Sequence, residues 1–330
     1  MLHDYERHQP GFLKSSFGGS RVYDGTEIHR LSTEQANRRY HDLDQRTTLN
    51  ILGTINAEDA TVAGRVAEVL PRVAEVVDTA AARMRQGGRL FYVGAGSAGR
   101  IGMLDAAECV PTFGTSPDWV QAVIAGGLEA MATAVENAED IAGAGRDDLA
   151  ARGIGPLDTV IGLSASGRTP YVVGALEHAR MMGAYTVAIS NNLESPVGQL
   201  ADTAVEIDTG PEILAGSTRL KASTAQKMVL NMISTALMIR LGRVYQNLMV
   251  EVRSTNEKLV DRAKRIVMAA SGLDFAAAEV VYEAAQGNVK AAIVMARSGQ
   301  QYRAAVQLLE ASNGSVRDAL RSVEEARPTC

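Results

Sequence analysis

Arg89-Leu90-Phe91-Tyr92-Val93-Gly94-Ala95-Gly96-Ser97-Ala98-Gly99-Arg100-Ile101-Gly102-Met103-Leu104-Asp105-Ala106-Ala107-Glu108-Cys109-Val110-Pro111-Thr112-Phe113-Gly114 is the stretch from which the fold is read. Leu90 to Val93 is a short apolar run of aromatic and β-branched residues, which predicts a strand. Gly94, Gly96 and Gly99 interrupt it before apolar residues resume at helical spacing. A strand, a tight loop and a helix in that order aim several backbone N–H groups and the positive end of the helix dipole at one point, which suits an anion such as phosphate. The Gly-Lys-Ser/Thr ending of a nucleotide phosphate loop is missing, and Gly94-x-Gly96-x-x-Gly99 alone is a weak dinucleotide signal. Glu108 stands at the far end of the expected helix.

The same order returns further along. Asp158 to Leu163 predicts a strand that feeds Ser164-Ala165-Ser166-Gly167-Arg168-Thr169-Pro170 and then a helix from Tyr171 to Met182. Three hydroxyls and a glycine in that loop make a second anion cradle. Trp119 to Ile124, Thr186 to Ser190 and Ala204 to Ile207 predict the remaining strands. Between and before them, helices are expected over Thr47 to Ile55, over 57–86 with Val62, Val66, Val73, Val76 and Val77 at helical spacing, and over 128–141 with Glu129, Glu136, Glu139 and Asp140. Gly216-Ser217-Thr218-Arg219-Leu220-Lys221 opens a long helix through Ile239. Alternating strands and helices predict an α/β fold: a parallel sheet flanked by helices on both faces, with ligands beyond the carboxyl ends of the strands.

The C-terminal part carries an internal repeat. Val280 to Ile293 aligns without gaps on Gln307 to Leu320, 27 positions later, and each copy reads as helix, glycine stop, helix. A small helical module for packing or dimer contact is expected there. Residues 1–30 mix Gly, Ser, His and charges without periodicity and read as a flexible arm.

Composition narrows the function. A formal net charge of −5 over 330 residues argues against nucleic acid as the main ligand, which needs a concentrated basic face. Two cysteines, Cys109 and Cys330, rule out a disulfide framework or a four-cysteine zinc site, and the five histidines include no pair at metal-ligand spacing. The sequence offers no sign of a metal or redox cofactor, and none is expected. No apolar run reaches the roughly 18 to 20 residues that span a bilayer, and no signal-peptide core opens the chain. A cytoplasmic protein without a membrane partner is the expectation.

Several ordered pieces share one resemblance: Thr33-Glu34-Gln35, Asn56-Ala57-Glu58-Asp59, Gly94 to Gly114, Ala165-Ser166-Gly167-Arg168-Thr169-Pro170-Tyr171, Gly216 to Lys227, and Asn247-Leu248-Met249-Val250 with Thr255-Asn256-Glu257-Lys258. Together they resemble the bacterial N-acetylmuramic acid 6-phosphate etherases, a family within the sugar isomerase (SIS) fold that also includes the glucokinase regulatory protein. The likeness runs from about Thr33 to Lys258. It implies an SIS domain over 31–265 and a C-terminal helical module over 266–330. It also implies a homodimer, and a lyase that releases D-lactate from N-acetylmuramate 6-phosphate and adds water to give N-acetylglucosamine 6-phosphate, in cell-wall sugar recycling.

By position, the resemblance makes Glu108 the proton donor and Glu139 the second catalytic glutamate. The residues alone leave other roles open: a helix-end acid in a salt bridge for Glu108, a solvated helix face for Glu139. The phosphosugar is expected on Gly96, Ser97, Gly99 and Arg100 on one side, and on Ser164, Ser166, Gly167 and Thr169 on the other. Arg219 and Lys221 either cap the sugar or pair with carboxylates. The chain departs from the family pattern at Ala98 and Ala107, where serines are usual, and Ser164 supplies a hydroxyl where alanine is common. A non-catalytic sugar-phosphate regulator and a phosphosugar isomerase are the rival readings. A helix from Gly99 to Glu108 separates acid and loop by about 13 Å. Glu108 is therefore expected either to fold back at Cys109-Val110-Pro111 or to serve a site completed by the partner subunit.

Overall fold

The computed structural model describes residues 25–252 and 256–326. Its centre is a five-stranded parallel sheet in the order β2-β1-β3-β4-β5, formed by β1 (Leu90–Gly94), β2 (Val120–Ile124), β3 (Thr159–Ser164), β4 (Tyr185–Ser190) and β5 (Thr203–Glu206). Burial on both faces explains the unbroken apolar runs of the strands. In β1 the alternation of side chains sends Leu90 and Tyr92 into one core and Phe91 and Val93 into the other.

The first core is closed by α2 (Val62–Glu68), α3 (Leu70–Met84), α4 (Gly96–Phe113) and α8 (Lys221–Arg240), the second by α5 (Ala142–Ala150), α6 (Pro170–Met181) and α7 (Pro196–Leu200). α1 (Thr48–Asp59) precedes them, and a two-residue hairpin of β6 (Val244–Tyr245) and β7 (Leu248–Met249) follows α8. A third core gathers Tyr245, Val250 and Val252 with α9 (Glu257–Ser271), α10 (Phe275–Ala284), α11 (Val289–Ser298), α12 (Tyr302–Ala311) and α13 (Val316–Glu325). In both copies of the repeat the stop is a left-handed pair, Gln286-Gly287 and Asn313-Gly314. The expected domain edge at residue 265 falls inside α9, whose Ala263 and Val267 are buried in this third core.

Two expectations about helices change. The helix expected over 57–86 is three pieces: α1 runs on to Asp59, α2 stops at Glu68, and α3 begins at Leu70. Pro71 has no N–H for the carbonyl of Ala67 and its ring crowds that turn, so the helix breaks before it. The helix expected over 128–141 is absent; Gly127–Met131 and Ala138–Asp140 are short 3-10 turns separated by irregular chain. Left-handed backbone at Gly126, Gly127 and Asn137 breaks helical continuity at both ends, and the β-branched Thr133 and Val135 favour it weakly between. Of the expected arm over residues 1–30, only Gly25–Arg30 falls among the described residues, and it forms a 3-10 helix. α5 and α7 were not expected: the glycines and short length of these segments hide their periodicity.

Candidate active site

Two loops meet at the carboxyl ends of neighbouring strands, because β1 and β3 pair in register with Gly94 opposite Leu163. The first is the start of α4. Ala95 caps it with extended backbone and no side-chain hydrogen bond, so the first amides of the helix, Gly96 to Ala98, point out of the strand end. Gly99 lets the helix start directly on the strand: a Cβ there would lie 2.7 Å from Ile124 Cγ1 and 2.8 Å from the Gly94 carbonyl oxygen. Ser97 is half-buried beside these amides. The Arg100 side chain turns away from them. Its guanidinium donates to the carbonyls of Ala130 (2.9 Å) and Thr133 (3.2 Å) and holds the 127–133 turn against α4, so only its backbone belongs to the loop.

The second loop is tied together by its hydroxyls. Ser164 Oγ lies 2.8 Å from Thr169 Oγ1 and 3.3 Å from Ser166 Oγ, and the Thr169 and Arg168 amides point at Ser164 and Ser166. Gly167 has φ of 72° and no room for a side chain, since a Cβ would meet Ser195 Cβ at 2.3 Å. Pro170 then opens α6, which adds a second helix amino-terminus to this end of the sheet.

A third segment, absent from the residues singled out in the sequence, frames the second loop. Asn192 Nδ2 donates to the Ala165 carbonyl and to Thr33 Oγ1, both at 3.0 Å, while Ser32 Oγ donates to Asn192 Oδ1. The chain at Ser32-Thr33 is thereby fastened beside β3 and β4. Gln226 on α8 joins by donating to Asn191 Oδ1 at 3.0 Å. Two buried polar atoms here, Gln226 Oε1 and Arg168 Nε, have no hydrogen-bond partner among the described residues, which leaves capacity for a polar ligand or water. In the sequence Asn191-Asn192 reads simply as a turn; only its position after a strand of this sheet marked it.

Lys221 and Arg219 part company. The Lys221 ammonium is buried and donates to Glu58 Oε2 at 2.6 Å, whereas Arg219 is exposed. Glu212, fully buried, accepts the Lys221 and Ala222 amides at 3.0 Å each and so caps α8. Burial is the main influence on the Glu212 carboxyl and pushes its pKa up.

Helix α4 carries one of the two candidate acids away from the first loop. α4 does not fold back after Glu108 but continues to Phe113 and ends at left-handed Gly114, because Pro111 near the helix end removes a single hydrogen bond. Glu108 is exposed, about 18 Å along the helix axis from Gly96. Glu139 is exposed on the Ala138–Asp140 turn, which packs against α6. Among the described residues no hydrogen bond or ion pair joins either glutamate to the loops or to the other. On the inner face of α4, one turn before Glu108, Asp105 is buried and accepts from Tyr92 (2.8 Å), Asn231 (2.8 Å) and Ser234 (3.1 Å). Among the described residues no cluster of three His, Cys, Asp or Glu has the geometry to hold a metal ion, and no helix is long and apolar enough to cross a membrane.

Two family models match this architecture: the glucokinase regulatory protein N-terminal SIS domain over residues 72–180 and the SIS domain over residues 131–236. Among solved structures, a phosphoheptose isomerase from Francisella tularensis is similar, with a TM-score of 0.48 and 16% identity over 59% of this chain and 100% of that one. Curated relatives are much nearer in sequence. An N-acetylmuramic acid 6-phosphate etherase of Geobacillus sp. (strain WCH70) is 54% identical over 266 residues, 81% of this chain and 90% of that protein. One from Mycolicibacterium smegmatis is 54% identical over 267 residues, and one from Erwinia tasmaniensis 53% over 267 residues, each again across 81% of this chain. The chain belongs to the N-acetylmuramic acid 6-phosphate etherase family.

Proposed function

We propose that this protein is an N-acetylmuramic acid 6-phosphate etherase, a carbon–oxygen lyase that releases D-lactate and leaves N-acetylglucosamine 6-phosphate. The observation that carries the reading is the pair of hydroxyl-bearing loops at the ends of paired strands β1 and β3, in a chain 54% identical to proteins of that name. Helix amino-termini and hydroxyls at one spot suit a phosphate dianion, and the buried, unpartnered Gln226 Oε1 and Arg168 Nε beside them suit a polar sugar.

The chemistry calls for two acid–base groups, and the family resemblance points to Glu108 and Glu139. In the ring-opened sugar the C1 aldehyde acidifies the C2 proton, which a carboxylate removes as a carboxylic acid protonates the departing lactyl oxygen; water then adds at C3. Glu108 is the proton donor and Glu139 the second acid–base group, each contributing about 10²–10⁴ in rate. The distance of Glu108 from the first loop supports an active site completed across a homodimer, in which Glu108 serves the partner's phosphosugar. The reaction belongs in the cytoplasm, where phosphorylated sugars are retained, and is carried by residues 31–265, with 266–330 as a packing module.

Incubation with N-acetylmuramate 6-phosphate is expected to yield D-lactate and N-acetylglucosamine 6-phosphate in equal amounts. The match of residues 72–180 to the glucokinase regulatory protein model favours one rival, a non-catalytic sensor. Tight phosphosugar binding without lactate, unchanged in Glu108→Gln, would establish that rival, and an isomerised sugar without lactate would establish an isomerase.

A further inference from the structure

At the opposite end of the sheet a cleft of about 1070 Å³ separates the strands from the C-terminal helices. Gly87 and Trp119, which line it, precede β1 and β2, so it opens at the amino ends of the strands, whereas the two loops lie at the carboxyl ends. Its walls carry five cations, Arg85, Arg240, Arg243, Lys290 and Arg317, against three carboxylates, in a chain whose formal net charge is −5.

The charges inside it are not balanced. Arg243 and Lys290 both engage one oxygen of Glu251, Arg243 at 3.1 Å. Lys290 is only 7% exposed, and its remaining contact is the Gly314 carbonyl at 2.7 Å. Two cations thus share one carboxylate in a part-buried place, where an uncompensated charge is costly. Arg317, exposed on the first turn of α13, faces the Tyr245 ring at 5.9 Å and has no ion pair among the described residues. Of the other carboxylates, Asp318 turns to Arg321, and Glu310 is exposed without an ion pair among the described residues. Arg85 donates to the Arg240 carbonyl and so answers the negative end of α8, and the Arg240 guanidinium is paired outside the cleft with Asp78 at 3.4 Å, which leaves Arg243, Lys290 and Arg317 as the cations the cleft does not balance.

We propose that this cleft is a second anion site, distinct from the two loops, that takes a phosphate-bearing small molecule. A dianion seated between Arg243, Lys290 and Arg317 neutralises the charge that Glu251 leaves over, and arginine forks match phosphate oxygens in pairs. The cleft also holds its own reporter. Trp119 is the single tryptophan of the chain and lies 4.6 Å from the Arg243 guanidinium.

Inorganic phosphate is the probe, titrated into the full chain at constant ionic strength with chloride as the counter-anion. Trp119 fluorescence is expected to change saturably in the wild type and in Ser166→Ala. In Arg317→Glu, whose exposed position spares the fold, the midpoint is expected to move about tenfold or more to higher phosphate. Equilibrium dialysis with labelled phosphate at the wild-type midpoint supplies a reading independent of fluorescence: Arg317→Glu is expected to bind less phosphate per chain than the wild type. Equal binding by wild type and Arg317→Glu in dialysis overturns the proposal. So does a fluorescence response lost in Ser166→Ala and kept in Arg317→Glu, which assigns the phosphate to the loops.

Discussion

Lys221 Nζ lies 2.6 Å from Glu58 Oε2, joining the start of α8 to the end of α1 across 163 residues of sequence. Both are about 95% buried. The other Glu58 oxygen accepts from Tyr40 at 2.6 Å and Arg39 at 3.0 Å, so the carboxylate is saturated. Lys221 is therefore read as the anchor that holds the α8 end of the site to the N-terminal turns. Breaking a buried pair leaves the partner uncompensated, and Lys221→Met is expected to cost about 3–5 kcal/mol of stability, with Glu58→Gln/Lys221→Met recovering part of it. Urea denaturation of the three proteins measures both.

The same pair sets an acid response. Burial pushes the Glu58 carboxyl up, but the hydrogen bonds of Lys221 and Tyr40 and the charges of Lys221 and Arg39 together hold it below its ordinary 4.5. A lowered carboxylate pKa contributes stability that is present above 4.5 and lost as pH falls through the lower folded value. Wild type is expected to lose stability on acidification below about pH 4.5 more steeply than the double variant. Melting temperatures across that range test it; equal slopes contradict the assignment.

Asp105 has the opposite sign. Burial dominates and raises its pKa above 3.8, outweighing the hydrogen bonds from Tyr92, Ser234 and Asn231. Its contribution is complete below 3.8 and declines as pH rises through the raised folded value. Relative to wild type, Asp105→Asn is expected to gain stability as pH rises through this range. At neutral pH Asp105→Ala, which strips three donors of their acceptor, is expected to lose about 2–4 kcal/mol.

Cys109, on the buried face of α4, has its thiol pushed up to about 12, first by burial and then by the Asp105 and Glu108 charges. In a Cys330→Ser chain it is expected to resist a thiol reagent at pH 8 and to react fully in denaturant. Rapid labelling of the native chain would contradict the packing of α4.

The proposed chemistry separates two kinds of variant. Ser166→Ala, which removes a hydroxyl from the second loop, is expected to raise KM about tenfold with a smaller effect on kcat. Glu108→Gln and Glu139→Gln are each expected to lower kcat about 10²–10⁴-fold with KM little changed. If Glu108 serves the partner's site, mixing Glu108→Ala chains with Ser166→Asp chains, whose added carboxylate repels the phosphate and disables binding, restores lactate release in the mixed dimers; no recovery argues for a site within one chain.

The sheet was legible because its signals are local. Leu90–Gly94 and Thr159–Ser164 are apolar runs closed by glycine or hydroxyls, and the strands fall within a residue or two of their expected ends. The two loops followed from the same order of elements. What lay hidden depends on distant partners. Nothing in the local pattern around Lys221 announces Glu58, and nothing around Asn192 announces Thr33, because each contact joins residues more than 150 positions apart. The 127–141 segment misled for the converse reason: its acids and alanines suit a helix, while the left-handed turns at Gly126 and Asn137 and the Arg100 clasp on Ala130 and Thr133 hold it open.

The most direct measurement of the proposed activity follows oxygen. With N-acetylmuramate 6-phosphate in water enriched in ¹⁸O, elimination across C2 and C3 followed by hydration leaves the ether oxygen on D-lactate and takes the new C3 hydroxyl from solvent. Mass spectrometry is expected to find one ¹⁸O at C3 of N-acetylglucosamine 6-phosphate and none in the lactate hydroxyl. Label in the lactate hydroxyl, or no lactate at all, would contradict the etherase reading.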